Sequence, residues 1–400
     1  MPRATMVRCG GSTWPSAGRG WPAATTCRRP TRPRTCSTPP TEVVCLHATD
    51  PATVYLSAWA RVRGLAVADV DKALYADRAL VKHLAMRRTL FVFDRRRWGI
   101  VQAAASERVA DQERRRLAKE IEKAGLHHDG RAWLAEASEV TLAALDRLGE
   151  ATARQLGAEV DGLQGSLVYA PHKAYGGAVP VAPRVLATLS AAGRIVRASN
   201  LGGWNVSRPT WARTATWLGE EPAIVPQAAA RTELVRAGST PSVRRPWATL
   251  KWWLGSTLAA VRSALADVGA VAVDLHGQPG VALPDDLEPA GPVEPYAALL
   301  PGLDPTTMGW YERDWYLGPH KAAIFDSTGN GGTTAWWDGR IVGGWTQAGG
   351  GEVVLHLLED LGAEATAALG RRAARLTQWL GGVRVAPRFP SPLRTRRRTT

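Results

Sequence analysis

The sequence predicts an α+β chain in which short helical repeats precede a β-rich C-terminal part. Two observations carry this expectation. A pattern of helices followed by a short strand or hairpin occurs three times between residues 41 and 285. After residue 291 it gives way to apolar strands separated by the turns STGNGG, DGR and AGGGE, where glycine and asparagine supply the positive φ that tight turns need.

The first copy spans 41–93. Its opening, VVCLHATDPATVYLSAWAR (43–61), reads as the end of one helix, a break at Asp50-Pro51 and the start of a second. Aspartate before proline suits an N-cap followed by the first helical position, where the missing proline N–H costs nothing. Val54, Tyr55, Ala58 and Trp59 then recur at helical spacing and give that helix an apolar face. Ahead of the break, His47 and Thr49 sit two apart. On a helix they would diverge by roughly 200°, but in an extended chain both point the same way. They then form a polar lip at the junction. One reading makes His47 a satisfied core histidine and Thr49 a local cap; the other makes the pair a site of chemistry. A helix carrying Leu80, Val81 and Leu84, then strand Thr89–Phe93, completes the copy.

The second copy, 139–215, is the clearest. EVTLAALDRLGE and ATARQLGAEV are short helices, and APRVLATLSAAGRIVRA gives a helix with Val185, Leu186 and Leu189 inward, stopped by Gly193 and followed by strand Arg194–Ala198. Helix, glycine cap and short strand form the joint between recognition helix and wing in a winged helix. In the loop LGGWNVSRP, Gly202 and Gly203 leave Trp204 at the tip of the wing. The third copy, 247–285, has Ser256 and Thr257 capping a helix with Val261, Leu265 and Val268, then a hairpin turning at HGQPG. Between the first two copies, the charged segment 101–135 reads as a solvated helix face with i,i+4 ion pairs. Beyond 291, KAAIFD, TTAWWDG, RIVGGWTQ and VVLHLL read as strands of an antiparallel sheet or barrel, closed by helix EATAALGRRAARLTQWLGG.

The predicted organisation is therefore three tandem winged-helix units followed by a C-terminal β-rich, barrel-like domain. Residues 1–40 form a disordered or non-native leader, 41–135 the first unit with its charged helix, and 136–245 the second with a long wing. The third unit spans 246–290, the β-rich domain 291–393 and a basic tail 394–400. The leader is rich in arginine and proline and lacks helical or strand periodicity. Net charge is +14, but residues 1–45 supply six of that and four tail arginines another four. The body is thus only mildly basic, compatible with nucleic acid without arguing for it. Cys9, Cys27, Cys36 and Cys45 match no zinc spacing. No apolar run reaches the roughly 18 residues of a membrane span, so a soluble, cytoplasmic and nucleoid-associated monomer is expected, with no metal or cofactor.

The segments LHATDPATVYLSAWAR, MRRTLF, GRIVRASNLGGWNVSRPTWARTATWL, LKWWLGSTLAAVRSAL, LPGLDPTTMGWYERD and WWDGRIVGGW, in this order and spacing, resemble the AlkZ-like family of winged-helix DNA glycosylases over about residues 41–393. The resemblance implies excision of alkylated purines and unhooking of interstrand crosslinks. It also implies a catalytic Gln-aliphatic-Gln or Gln-aliphatic-Asp motif at the helix junction. Here that place holds His47, Ala48 and Thr49: the first position stays polar, and the third keeps only a hydroxyl.

Scission of an N7-alkylguanine needs little leaving-group activation, because the base is already cationic. A positioned water and stabilisation of an oxocarbenium-like sugar remain to be supplied. Neutral His47 can take a proton from that water while Thr49 orients it. Asp50 serves electrostatically, or only as the N-cap. Double-stranded DNA is the expected partner, with Arg87, Arg88, Arg184, Arg194, Arg197 and Arg208 on its phosphates and Trp204 inserted. A noncatalytic DNA-binding regulator on the same scaffold is the competing class.

Overall fold

A computed structural model of the chain describes residues 44–169, 176–238, 245–275, 277–287 and 294–395. The leader 1–40, with Cys9, Cys27 and Cys36, and the tail beyond residue 395 lie outside the described residues. The chain divides into two compact units. One is Lys72–Arg231; the other joins the residues up to Asp71 to those from Thr232 onward.

In Lys72–Arg231, helix Glu107–Lys123 packs against helices Gly130–Leu148 and Ala182–Ala191. Leu117, Ile121, Leu134, Leu145, Leu156, Leu186 and Ile195 share one buried cluster. The local grammar is plain. The Asp129 carboxylate accepts from the amides of Arg131 and Ala132 at the start of Gly130–Leu148. Thr152 and Gln155 cap helix Ala153–Glu159 reciprocally. Val185, Leu186 and Leu189 are buried as expected, and Gly193 ends its helix at φ +72°. Strands Ile195–Asn200 and Pro209–Arg213 follow as an antiparallel hairpin, with Glu150–Thr152 as the third strand. On Glu107–Lys123, Arg114 pairs with Asp111 and Arg116 with Glu120, so the charge run is a solvated, ion-paired face.

The expected helix at Leu80–Leu84 is instead a strand, Leu80–Ala85, antiparallel to Thr89–Asp94. Six residues are too few for spacing to separate helix from strand. Pairing decides: Val81 faces Phe93 and His83 faces Phe91. The turn Met86–Arg88 joins the strands, with Arg87 at φ 56° and Arg88 at φ 58°.

Behind this hairpin His83 is buried at 3 % exposure. Its Nε2 lies 2.8 Å from Gln102 Oε1, and Gln102 Nε2 donates to the Ala191 carbonyl. Gln102 opens a π-helical turn, Gln102–Ser106, inserted between Trp98–Val101 and Glu107–Lys123.

In the other unit, the chain before Asp50 is not a helix end, for Leu46–His47 is extended. Helix Pro51–Arg61 is buried from Ala52 to Ala60. Four antiparallel strands lie in the order Ala297–Leu300, Thr334–Trp337, Arg340–Gln347, Val353–Leu357. This is an open sheet and not a closed barrel, which corrects the barrel-like expectation. Helix Gly362–Leu380 packs on it through a stripe of Ala365, Leu369, Ala373, Leu376 and Leu380, so the apolar surface is covered without the edges having to meet. Lys321–Ile324, expected as part of a strand, is a helical turn, and Phe325 makes only an isolated bridge to Gly331. The STGNGG turn closes on Asp326, whose carboxylate accepts the amides of Thr328 and Asn330. Thr257 caps helix Leu258–Asp267 as expected. The following hairpin turns more tightly than HGQPG, with Leu275 opposite Gln278 and Pro279 opposite Asp274.

Acid should weaken the Lys72–Arg231 unit through His83. Burial holds its ring down to about 4, against a Gln102 hydrogen bond that pulls upward, whereas an unfolded histidine takes its proton near pH ~6.5. Between those values the unfolded chain binds more protons, so stability falls as pH drops, by about 3 kcal/mol over the whole window. Urea midpoints from pH 7 down to 4 measure this fall, and His83→Gln should flatten it. An unaltered pH dependence in that variant would mean that other groups carry the acid sensitivity.

Candidate active site

The junction ahead of helix Pro51–Arg61 is built by alternation. His47 and Thr49 are half-exposed while Ala48 and Asp50 are buried, so the first two share a face as an extended chain requires. The Thr49 amide donates to His47 Nδ1 at 3.4 Å. That contact, near the long limit of a hydrogen bond, engages the Nδ1 lone pair; while it holds, the neutral ring's hydrogen sits at Nε2.

Asp50 is the N-cap the sequence called for: its Oδ1 accepts the Ala52 amide at 3.1 Å. Its Oδ2 does something the sequence did not reveal, accepting the Arg388 amide at 2.9 Å. Burial pushes the carboxyl above the usual carboxylate range; the Arg388 and Ala52 amides and the Arg388 charge draw it only part of the way back.

Behind the junction, helix Pro51–Arg61 is tied to a distant part of the chain. Thr53 Oγ1 donates to the Gly302 carbonyl at 2.7 Å and Ser57 Oγ to Asp304 Oδ2 at 2.6 Å. The Arg61 guanidinium holds Asp304 by both oxygens, at 2.9 and 2.7 Å. Asp304 is fully buried and caps its own short helix through the Thr306 amide. Burial alone would raise its carboxyl; Arg61, Ser57 and the Thr306 amide outweigh that and hold it below the usual range.

A pocket opens against Asp50, which is part of its lining. Thr53, Leu56, Gly302, Thr333 and Trp345 line it together with Gln347, Arg384, Val385, Pro387 and Ser391. The segment after helix Gly362–Leu380 therefore forms one wall. Gln347 grips this strap twice, donating from Nε2 to the Val383 carbonyl and accepting the Val385 amide at Oε1. Farther along, the strap packs so closely that a Cβ on Gly332 would stand 2.2 Å from Ser391 Cβ, and one on Gly344 would stand 2.7 Å from Leu393 Cδ1. At Gly344 the fixed Thr333 carbonyl oxygen, 2.6 Å from that Cβ, leaves no room either, so glycine is required at both places.

Arg61, Asp304, Gln347 and Arg388 were missed in the sequence. Asp304-Pro305 repeats the Asp50-Pro51 signature and was a usable signal; the glycine pairs 331–332 and 343–344 were another.

The remaining expected residues belong to the Lys72–Arg231 unit. Arg87 and Arg88 stand exposed on one turn, Arg88 reaching Glu113 at 2.7 Å. Arg184 is mostly covered and pairs with Glu120 at 2.8 Å. Arg194 is exposed, with Glu139 at 3.8 Å, and the Arg197 guanidinium lies 4.9 Å from the Trp211 ring centroid. Trp204, half-exposed, and Arg208, exposed, share the loop of hairpin Ile195–Arg213. Among the described residues no cluster of His, Cys, Asp and Glu has the makings of a metal site, and no helix is long and apolar enough to cross a membrane.

This junction sits in a chain whose residues 41–379 match the family model described as DNA glycosylase AlkZ-like, and the protein belongs to that family. Its fold is similar to that of the solved Streptomyces sahachiroi DNA glycosylase AlkZ, with a TM-score of 0.67 at 19% identity, covering 89% of this chain and 94% of the other. No curated protein sequence matches the chain.

Arg61→Ala should leave Asp304 as an uncompensated buried charge and cost about 3–5 kcal/mol of stability. Urea unfolding of wild type and variant measures this. A loss below ~1 kcal/mol, the range of an exposed ion pair, would show that the pair does not brace the helix.

Proposed function

We propose that the protein is a monofunctional DNA glycosylase that hydrolyses the N-glycosidic bond of alkylated or crosslinked purines, with His47, Thr49 and Asp50 at the reaction centre. The observation that carries this reading is the junction itself. A polar pair on one face precedes a buried, doubly bonded carboxylate at the start of a helix, at the place where the resemblance sets the catalytic motif.

The chemistry asks little of the protein. As the C1′–N9 bond breaks, its electron pair neutralises the cationic alkylated ring, so no acid is needed for departure. Water bonds to C1′ of the oxocarbenium-like sugar and passes its surplus proton to bulk water at the half-exposed lip. With Nδ1 engaged by the Thr49 amide, His47 serves by orienting that water from Nε2 while Thr49 Oγ1 holds it from the other side. For His47 to take the proton instead, the ring must give up the Thr49 contact. Amides hold both Asp50 oxygens in place beside the lip, so in its ionised form the carboxylate is a pre-positioned negative charge for the developing cation.

On this reading the two helix–hairpin arrangements, 182–213 and 258–282, work as winged-helix units, and a third lies around the first copy. Arg87, Arg88, Arg194, Arg197 and Arg208 serve as phosphate contacts, with Trp204 at the tip of its hairpin for insertion. Arg184 contributes chiefly through Glu120.

Release of N7-methylguanine from alkylated duplex DNA by the full chain tests the proposal. His47→Ala should slow release by about 10²-fold, the cost of misplacing a reacting group, with DNA affinity nearly unchanged. Thr49→Ala should cost less, since solvent can replace a hydroxyl. Equal release by wild type and His47→Ala would make His47 a structural histidine. No release by either would favour a noncatalytic DNA-binding protein.

A further inference from the structure

We propose that the strap Val383–Ser391 is a working part of this site, and that the Arg388 guanidinium holds a backbone phosphate of the DNA strand presented to His47 and Thr49. The choice of ligand rests on the glycosylase reading. The strap lies wholly beyond residue 379, where the family match ends.

Three features of Arg388 support the assignment. Its tie to Asp50 is made by the backbone amide, so its side chain is not needed for that bond. The guanidinium is exposed and reaches Thr49 only through its carbonyl, Nη1 to O at 3.5 Å, the long limit of a hydrogen bond. Arginine has five donors in a planar fork that matches phosphate oxygens. The Asp50 carboxylate, whose oxygens accept the amides of Ala52 and Arg388, feels the guanidinium's charge without a hydrogen bond to it.

The backbone that carries this charge is held in place. Gln347 fixes the strap at Val383 and Val385, Ser391 is seated on Gly332, and Asp50 fixes Arg388 itself. With the backbone fixed, only the Arg388 side chain has to be ordered when a phosphate arrives. It would set the strand's register on the lip without touching the base.

The test compares full-length wild type, Arg388→Gln and Arg388→Lys. Affinity for an undamaged, fluorescein-labelled duplex is read across a salt series. Removing one phosphate contact should lower the slope of log K against log salt by about 0.9 in Arg388→Gln, and lysine should restore it. On alkylated duplex the Gln variant should raise KM several-fold and leave kcat within about two-fold, and thermal melting should not change, since the backbone bond survives. A wild-type slope in Arg388→Gln would overturn the proposal and leave Arg388 as a brace for Thr49. If wild type releases no base, the glycosylase reading fails, and a lowered slope in the Gln variant still supports the phosphate contact.

Discussion

The buried pair of Arg61 and Asp304 is the constraint on which the junction depends. Two residues 243 apart in sequence meet inside the fold, and helix Pro51–Arg61 is held by its far end. Charge removal from water costs several kcal/mol per ion unless every lone pair is answered. Here Ser57, Thr306 and both guanidinium nitrogens answer Asp304. Thr53 adds a third tie, to Gly302. Thr53, Ser57 and Arg61 recur every four residues, so one stripe of the helix is polar and faces the Gly302–Asp304 loop. With that stripe fixed, the N-terminus of the helix, and the lip ahead of it, cannot rotate freely.

Much of this organisation could be read in the sequence, where a local signal and a long-range demand agreed. The Asp50 N-cap, the Ala182–Ala191 helix with its glycine stop, the Thr257 cap and two hairpins follow from neighbouring residues alone. Errors arose where short apolar runs were ambiguous. Leu80–Ala85 became a strand because Thr89–Asp94 lay within reach to pair with it. Among the described residues Lys321–Ile324 has no partner strand of that kind, and it winds into a turn. The candidate site divided in the same way. His47, Thr49 and Asp50 are contiguous and visible. Asp304, Gln347 and Arg388 come from positions hundreds of residues away, and no spacing rule points to such meetings.

Two carboxylates that open helices before proline have opposite electrostatic fates. Asp304 faces a guanidinium and is held ionised. Asp50 receives only amide hydrogen bonds and one partly exposed charge, and burial prevails. The same sequence signature thus yields a structural anchor in one place and a perturbed group at the lip in the other. The difference lies in what the rest of the chain delivers to each cap.

The turn Met86–Arg88 has a bearing on how the protein tolerates engineering. Left-handed backbone costs a residue with a Cβ roughly 1–2 kcal/mol, and glycine almost none. Arg87 and Arg88 both bear that cost in succession, so the hairpin is less stable than its own backbone permits. A thermostability screen would be drawn to glycine at these two positions. Each such gain would strip a guanidinium from an exposed turn, and at Arg88 it would leave Glu113, buried at 6 % exposure, without its cation. Robustness and surface charge are set against each other in this loop, and the wild-type sequence keeps the charge.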